Sequence, residues 1–148
     1  SHIDPDKALL MYDIVIAVDT NTINDTSVTA IAQMCFTGKT DGVVDVNCKV
    51  WDNTKILKPE VHAWAVVINT VYSQLQNKKQ NKTVAIVVDS ELGALQQYNK
   101  REKPLVQDIY LPPGYTLVYA SADTGMEFIA NQLIRICDKC AGEVLSCI

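Results

Sequence analysis

The sequence lacks most of the features that assign a protein to a class at once. It has no apolar run approaching the ~20 residues that a membrane-spanning helix needs, and no signal-peptide pattern of basic, apolar and small-residue regions. A phosphate-binding glycine loop, a nucleophile triad and a cofactor fingerprint are all missing. We therefore expect a cytoplasmic protein with no membrane partner, whose function depends on some other arrangement of residues.

An excess of positive charge is missing too. The chain has 13 Lys and Arg against 17 Asp and Glu, a formal net charge of −4. This balance argues against binding nucleic acid by bulk electrostatics, but it allows an enzyme whose acidic site is offset by a local basic patch. Two clusters are candidates for that patch, with solvated loops as the competing interpretation: Lys78, Lys79 and Lys82, and Lys100, Arg101 and Lys103.

Cysteine is present, but in an odd number. There are five, and without a secretion signal this favours reduced thiols in a cytoplasm-like compartment. Cys137 and Cys140 have the spacing of a metal-binding pair. However, they lie in a segment that is helical by pattern, with no second pair nearby. Packing in the core is the favoured interpretation, and a zinc or redox role is the alternative.

The length of 148 residues suits one domain with its own core. We assign the domain to residues 11–148. The first ten residues, which begin Ser-His-Ile-Asp-Pro, are interpreted as an expression scar or a disordered N-terminal segment.

Hydrophobic periodicity predicts three strands in succession and then alternating helices and strands. The order β-β-β-α-β-α-β-α implies an α/β fold, in which an antiparallel meander joins a mixed sheet covered by helices. On the last helix we expect a buried face formed by Ile129, Leu133, Ile136, Cys140 and Val144. The predicted strands cover residues 12–19, 27–36, 43–51, 83–88 and 115–120, and the predicted helices cover 59–76, 90–99 and 126–146.

Three acidic residues fall where these elements would bring them together. Asp19 ends the first apolar run, Glu60 opens the first long helix, and Asp89 ends the fourth strand. Carboxylates at the C-terminal tips of buried strands lie at the edge where α/β proteins place their sites. Hard divalent cations prefer carboxylate oxygen. The pattern therefore suggests metal-assisted phosphodiester chemistry.

Ordinary structural roles compete with this interpretation. Asp19 could begin an Asx turn, and Glu60 favours the dipole of its helix whatever the function. Asp89 could cap the helix that follows it. A further acid, Asp123, could belong to a capping box that ends at Glu127.

Two short motifs resemble those of the ribonuclease H family. Pro59-Glu60-Val61-His62-Ala63-Trp64 is similar to the family's Met-Glu-x-x-Ala helix start, and Val88-Asp89-Ser90 is similar to its Thr-Asp-Ser. The resemblance implies a ribonuclease H-like mixed five-stranded sheet. It also implies hydrolysis of the RNA strand of an RNA/DNA hybrid with Mg²⁺ (or Mn²⁺). The implied catalytic residues and metal ligands are Asp19, Glu60, Asp89 and Asp123.

The sequence departs from the family in three places. The glycine-rich continuation after Asp19 is missing, which puts recognition of the RNA 2′-hydroxyl in doubt. Residues 121–125 contain no histidine where the family has one. Arg135 stands where the family has its fourth acid. Either Asp123 or Glu127 supplies a replacement carboxylate, or Arg135 fills the metal site and the protein no longer cleaves.

Three functions therefore remain open. The first is a metal-dependent nuclease of the ribonuclease H type, and the second is a non-catalytic ribonuclease H-like binding module. The third is a PIN-like ribonuclease, because Asp19-Thr20-Asn21 is similar to the opening motif of PIN domains and Ser121-Ala122-Asp123 to their last acid. PIN domains continue with helices after the first motif, whereas two strands are predicted here.

Overall fold

A computed structural model describes residues 4–34, 44–90, 92–122 and 128–148. In these ranges the chain forms five strands and four helices. The strands are β1 (Ile14–Ile23), β2 (Thr26–Met34), β3 (Val44–Asp52), β4 (Val84–Val88) and β5 (Tyr115–Tyr119). The helices are α1 (Pro5–Leu10), α2 (Pro59–Asn77), α3 (Leu92–Asn99) and α4 (Ile129–Ser146).

The strands form one mixed sheet in the order β3-β2-β1-β4-β5. β1, β2 and β3 are antiparallel neighbours, while β4 runs parallel to β1 and β5 parallel to β4. The predicted meander and the predicted order of elements are both confirmed. This is the five-stranded arrangement that the resemblance to ribonuclease H implied.

Polar side chains fasten the hairpin between β1 and β2. The strands pair up to Ile23 and Thr26, and Asn24 adopts a left-handed backbone (φ 54°), which asparagine tolerates better than most residues. Beside the turn, the hydroxyls of Thr22 and Ser27 are 2.8 Å apart. This contact satisfies two polar groups beside the turn. The pairing with β2 is continuous from Ile16 to Ile23, so β1 is one strand through Asp19. An Asx turn at Asp19 is therefore wrong.

Helices cover the sheet on both faces. On one face α2 packs against β1 and α3 against β5, and between the two helices Trp64 is 1% exposed and meets the ring of Tyr98 edge-on at 6.1 Å. On the other face α4 packs against the alanine-rich surface of β1 and β2. In the described ranges, no helix combines the length and apolar character needed to cross a membrane.

The strands differ in burial according to their place in the sheet. Every residue of β4 is buried, as expected for a parallel strand covered on both faces. β3, at the edge, is exposed along most of its length. The edge strand therefore contributes little apolar burial, and the fold is centred on β1 and β4.

The segment before residue 11 is the main addition to the predicted architecture. Pro5–Leu10 forms helix α1, capped by the side chain of Asp4. Asp6 Oδ1 accepts a hydrogen bond of 2.8 Å from the backbone N–H of Ile129. Leu9 is 4% exposed in the same core as α4. Residues 5–10 are therefore packed on the fold and not disordered.

Helix α4 is rotated from its predicted orientation. Its buried side chains are those of Asn131, Leu133, Ile134, Cys137 and Ala141. Of the predicted face, Leu133 is buried and Ile129, Cys140 and Val144 pack at the margin of the core, but Ile136 is 38% exposed. The rotation follows from the sheet surface beneath the helix, which is lined by Ala17, Ala30 and Ala32, because small residues on both sides let a helix and a sheet approach closely.

The packing of α1 can be tested with a pair of neighbouring leucines. We expect Leu9→Ala to lower the free energy of unfolding by about 2–4 kcal/mol, the usual cost of emptying a buried leucine site. Leu10→Ala, at a position 44% exposed, should change it by less than about 0.5 kcal/mol. Urea unfolding followed by circular dichroism measures both. Equal effects from the two variants would show that α1 does not pack on the fold.

Candidate active site

Asp19 and Asp89 are placed side by side by the pairing of two parallel strands. The register of β1 and β4 runs to the pair Ala17 and Val87. Asp19 lies two residues further along β1, and Asp89 lies two residues after Val87, just past the end of β4. Because side chains alternate across a strand, both acids belong to the face that α4 covers. They come together at the C-terminal end of β4. β1 continues four residues beyond Asp19, so this acid lies within its strand and not at the strand end that the sequence predicted.

The carboxyl group of Asp19 is buried among other acids. Asp19 is 7% exposed, and its Oδ2 atom has no hydrogen-bond partner among the described residues. Burial, followed by a hydrogen bond and repulsion from Asp138 and by repulsion from Glu60 and Asp89, raises the pKa of Asp19 to about 8. All the charges of described residues that act on the Asp19 carboxyl group are thus negative.

Glu60 reaches the same site from the other layer of the fold. It lies in the first turn of α2, which begins at Pro59, and it is partly buried. Burial and then repulsion from Asp89 raise the pKa of Glu60 to about 7. Since Asp89 acts on both Asp19 and Glu60, the three predicted acids converge on one site.

A fourth acid comes from α4, at a position that the sequence analysis did not consider. Asp138 acts on Asp19 through a side-chain hydrogen bond and through repulsion. Its backbone carbonyl accepts a hydrogen bond of 3.3 Å from Asn21 Nδ2, which ties this turn of the helix to β1. One sequence signal pointed to Asp138. It follows Arg135, where the family has its fourth acid, by three residues, about one turn of the same helix.

Arg135, at the position where the family has its fourth acid, is anchored to its own helix. Its Nε donates a hydrogen bond of 3.3 Å to the carbonyl of Asn131 in the preceding turn. The acid supplied by α4 lies one turn further on, at Asp138. The predicted site residue Asp123, like Glu127, lies outside the described residues, so its role stays a prediction.

The two basic clusters have different surroundings. Lys78, Lys79 and Lys82 precede β4, at the opposite edge of the sheet from the acids. The guanidinium of Arg101 donates to the carbonyls of Asn99, Leu111 and Pro112 at 2.8–3.1 Å. Lys103 lies over the ring of Tyr98, with Nζ 5.4 Å from the ring centre. Two of the three cations in the second cluster therefore hold the structure after α3 together.

The CxxC pair is split between two environments. Cys137 is fully buried and its Sγ lies 3.5 Å from the carbonyl oxygen of Ala17. This confirms the core interpretation for Cys137, and burial raises the pKa of its thiol to about 12. Cys140 is partly exposed and faces β3, where it contacts Cys48.

The carboxylate oxygens of these acids are suitable ligands for a divalent cation, although their side chains are not arranged around a single ion. Among residues 4–34, 44–90, 92–122 and 128–148, no three His, Cys, Asp or Glu side chains are grouped as ligands of a single ion. However, the buried Asp19 Oδ2 lacks a partner, and every described charge acting on it is negative. Carboxylate oxygen is the donor that Mg²⁺ and Mn²⁺ prefer. A cation would supply the missing positive charge.

No protein-family model matches the chain, and no curated protein sequence does. Among solved structures, the chain is similar to the foamy viral protease-reverse transcriptase in complex with dsDNA, with 15% identity and a TM-score of 0.57, covering 91% of this chain and 95% of that one. It is also similar to native prototype foamy virus protease-reverse transcriptase, with 15% identity and a TM-score of 0.61, covering 97% of this chain and 21% of that one.

These similarities establish the fold. The strand order, the strand directions and the packed helices together are those of a ribonuclease H-like α/β fold. The two strands after Asp19 are the feature that distinguishes this fold from a PIN domain, so the PIN-like alternative is not retained.

The raised pKa values predict an unusual dependence of stability on pH. An acid whose folded pKa lies above its unfolded value adds stability that is complete below the unfolded pKa and lost as the pH rises through the folded one. For Asp19 this window runs from 3.8 to about 8. In EDTA, we therefore expect the thermal midpoint, measured by calorimetry, to decrease as the pH is raised from 5 to 8.

Replacing Asp19 should remove most of this fall. In EDTA at pH 8, Asp19→Asn should raise the free energy of unfolding by about 1–2 kcal/mol, because a neutral amide relieves repulsion in a buried place. Asp25→Asn, at an exposed turn position, is the matched control and should have no effect. Destabilisation by Asp19→Asn would mean that the carboxylate is already compensated.

Proposed function

We propose that this protein is a divalent-metal-dependent nuclease of the ribonuclease H type, which hydrolyses the RNA strand of RNA/DNA hybrids. The observation that carries the proposal is the buried carboxyl group of Asp19, without a partner at Oδ2 and surrounded by Glu60, Asp89 and Asp138. Such a cluster is costly unless a cation compensates it. In this fold it lies at the C-terminal edge of the central strands, where ligands bind.

Each acid has a distinct part in the proposal. Asp19 and Asp89, on neighbouring strands, would hold Mg²⁺ or Mn²⁺ between β1 and β4, while Glu60 and Asp138 would close the site from the two helical layers. Bound ions would supply charge stabilisation at the phosphodiester and a water of lowered pKa. Asn21 positions Asp138 through the helix backbone. Asp123 stays a candidate for a further ligand from the segment after β5.

The substrate class rests on two observations. One of the similar structures is a complex with dsDNA, which supports a nucleic acid as the partner of this chain. Two exposed lysines, Lys55 and Lys58, lie just before Glu60 and are available to contact phosphates. The net charge of −4 means that this contact is local, so cleavage should be strongly weakened by salt.

Recognition of the RNA strand has to use residues other than the missing glycine-rich motif. The positions that follow Asp19 are engaged inside the protein: the Thr20 hydroxyl is 2.8 Å from that of Thr29, and Asn21 bonds to α4. Preference for a hybrid over other duplexes is therefore the part of the proposal that most needs direct measurement.

The second candidate is a ribonuclease H-like module that binds without cutting. It is favoured by the absence, among the described residues, of three side chains grouped around one ion. In such a module Asp19, whose pKa is raised to about 8, would remain largely protonated near neutral pH, and no divalent ion would be needed.

Thermal stability in the presence of metal separates the two candidates. With Mg²⁺ or Mn²⁺ at about 100 times its dissociation constant, the nuclease should gain about 3 kcal/mol, a rise in thermal midpoint of about 5–10 °C. Because the ion competes with protons for Asp19 and Glu60, its affinity should increase from pH 6 to pH 8. A thermal midpoint that neither ion changes at any of these pH values would support the binding module.

Cleavage assays identify the ligands. On a labelled RNA/DNA hybrid with Mg²⁺ or Mn²⁺, we expect Asp19→Asn, Asp89→Asn and Asp138→Asn each to lower the rate by at least about 100-fold. Asp45→Asn, on the exposed edge strand, should retain full activity. Asp123→Asn, measured in the same series, shows whether the segment after β5 adds a ligand.

Matched duplex DNA, duplex RNA and single-stranded RNA test the substrate preference in the same assay. Full activity of Asp89→Asn would contradict the proposed site. Cleavage of all duplexes at equal rates would contradict hybrid specificity but would not contradict the proposed metal site.

A further inference from the structure

Two cysteines that are far apart in sequence meet between the edge strand and the last helix. Cys48 lies on β3 and Cys140 on α4, 92 residues apart in the chain. Their Sγ atoms are 2.8 Å apart, about 0.8 Å longer than a disulfide bond. The nuclease proposal does not use this contact.

The sheet register explains why the two thiols meet. Asp19 pairs with Ala30, and Ala30 pairs with Cys48, so these residues form one row across three strands. Directly paired residues share a face, and this row faces α4. Cys48 therefore projects towards the helix at the level of Asp138 and Cys140, and the small side chain of Ala30 leaves the approach open.

Among the described cysteines, Cys48 and Cys140 are the two that are both in contact with each other and accessible to solvent. Cys137 is buried and directed at the carbonyl oxygen of Ala17. Cys147 is exposed at the end of α4. Cys48 is exposed and Cys140 partly exposed, so an oxidant in solution can reach the contact.

We propose that Cys48 and Cys140 are a modification site, at which a peroxide or a low-molecular-weight disulfide converts the two thiols into a reversible intramolecular disulfide. With hydrogen peroxide, one thiolate attacks a peroxide oxygen and gives a sulfenic acid and hydroxide, which takes up a proton to become water. The other thiol then attacks that sulfur, and a second water leaves. Two thiols lose two electrons, and the peroxide is reduced to two waters.

The bond would fasten the part of α4 that carries an acid of the candidate site. Cys140 follows Asp138 by two residues, and Asn21 already ties the carbonyl of Asp138 to β1. A disulfide would add a second tie, to the exposed edge strand, which otherwise packs weakly. It would also close a long loop of the unfolded chain, which is the situation in which a cross-link is expected to stabilise most.

The reaction should be slow near neutral pH. Burial and the neighbouring Cys140 raise the pKa of the Cys48 thiol to about 11, and only the thiolate is the nucleophile. The pair would therefore remain reduced under ordinary reducing conditions and become oxidised on sustained exposure. This inference stands on the contact between the sulfur atoms and does not depend on nuclease activity.

The test uses the full chain, reduced with dithiothreitol, desalted and treated with hydrogen peroxide or oxidised glutathione at pH 8. Peptide mapping by mass spectrometry should find one cross-link, between Cys48 and Cys140, with the loss of two hydrogen atoms. The thermal midpoint should rise by about 5–10 °C and return after dithiothreitol. Cys147→Ser should behave like the parent protein.

The cysteine variants keep the test decisive. Cys48→Ser and Cys140→Ser should fold, with midpoints in reducing buffer close to that of the parent, but should show no rise on oxidation. A cross-link from Cys48 to any other cysteine, a covalent dimer, or a cross-link without a change in midpoint would overturn the proposal.

Discussion

The structure depends on one constraint, the parallel pairing of β1 with β4. This pairing sets Ala17 opposite Val87 and so brings Asp19 and Asp89 to the same point at the edge of the sheet. Two carboxylates placed so close, in a site with little water, repel one another and favour the protonated form. Burial first, then the hydrogen bond and repulsion of Asp138, and last the repulsion of Glu60 and Asp89, raise the pKa of Asp19. A sheet with another register would separate the acids and remove both the cost and the site.

The remaining elements hold the acids in place. α2 brings Glu60 from one layer, α4 brings Asp138 from the other, and Asn21 links α4 to the strand that carries Asp19. None of these contacts neutralises the cluster. A protein that uses its central strands, two helices and the hydrogen bond from Asn21 to α4 to gather like charges accepts a loss of stability, and functional sites are where such losses are expected.

Most of the architecture could be predicted from the sequence because its signals are local. The apolar runs that end in Asp19 and Asp89 define two buried strands, and the proline before Glu60 defines the start of a helix. The orientation of α4 could not be predicted in this way. That helix is amphipathic, but the side of it that meets the sheet is decided by the alanines on the strands, which are distant in sequence.

The error in the orientation of α4 explains why Asp138 was missed. The predicted face placed Ile136 and Cys140 towards the core, whereas the observed face buries Ile134, Cys137 and Ala141 and brings Asp138 to Asp19. The contact of Cys48 with Cys140 depends on the same rotation and on the β2–β3 register. Helix α1 could not be predicted for another reason: it is only six residues long, and its place on the fold depends on the packing of Leu9 in the core beneath α4, which is distant in sequence.

The central claim is that the acids around Asp19 exist to bind a divalent cation. The most direct measurement is a crystal soaked in Mn²⁺ and recorded at a wavelength where manganese scatters anomalously. The account predicts an anomalous peak within coordination distance, about 2–2.6 Å, of carboxylate oxygens of Asp19 and Asp89, with Glu60 or Asp138 completing the shell. A crystal with well-ordered acids and no peak among them, at a concentration of Mn²⁺ that saturates ordinary carboxylate sites, would contradict it.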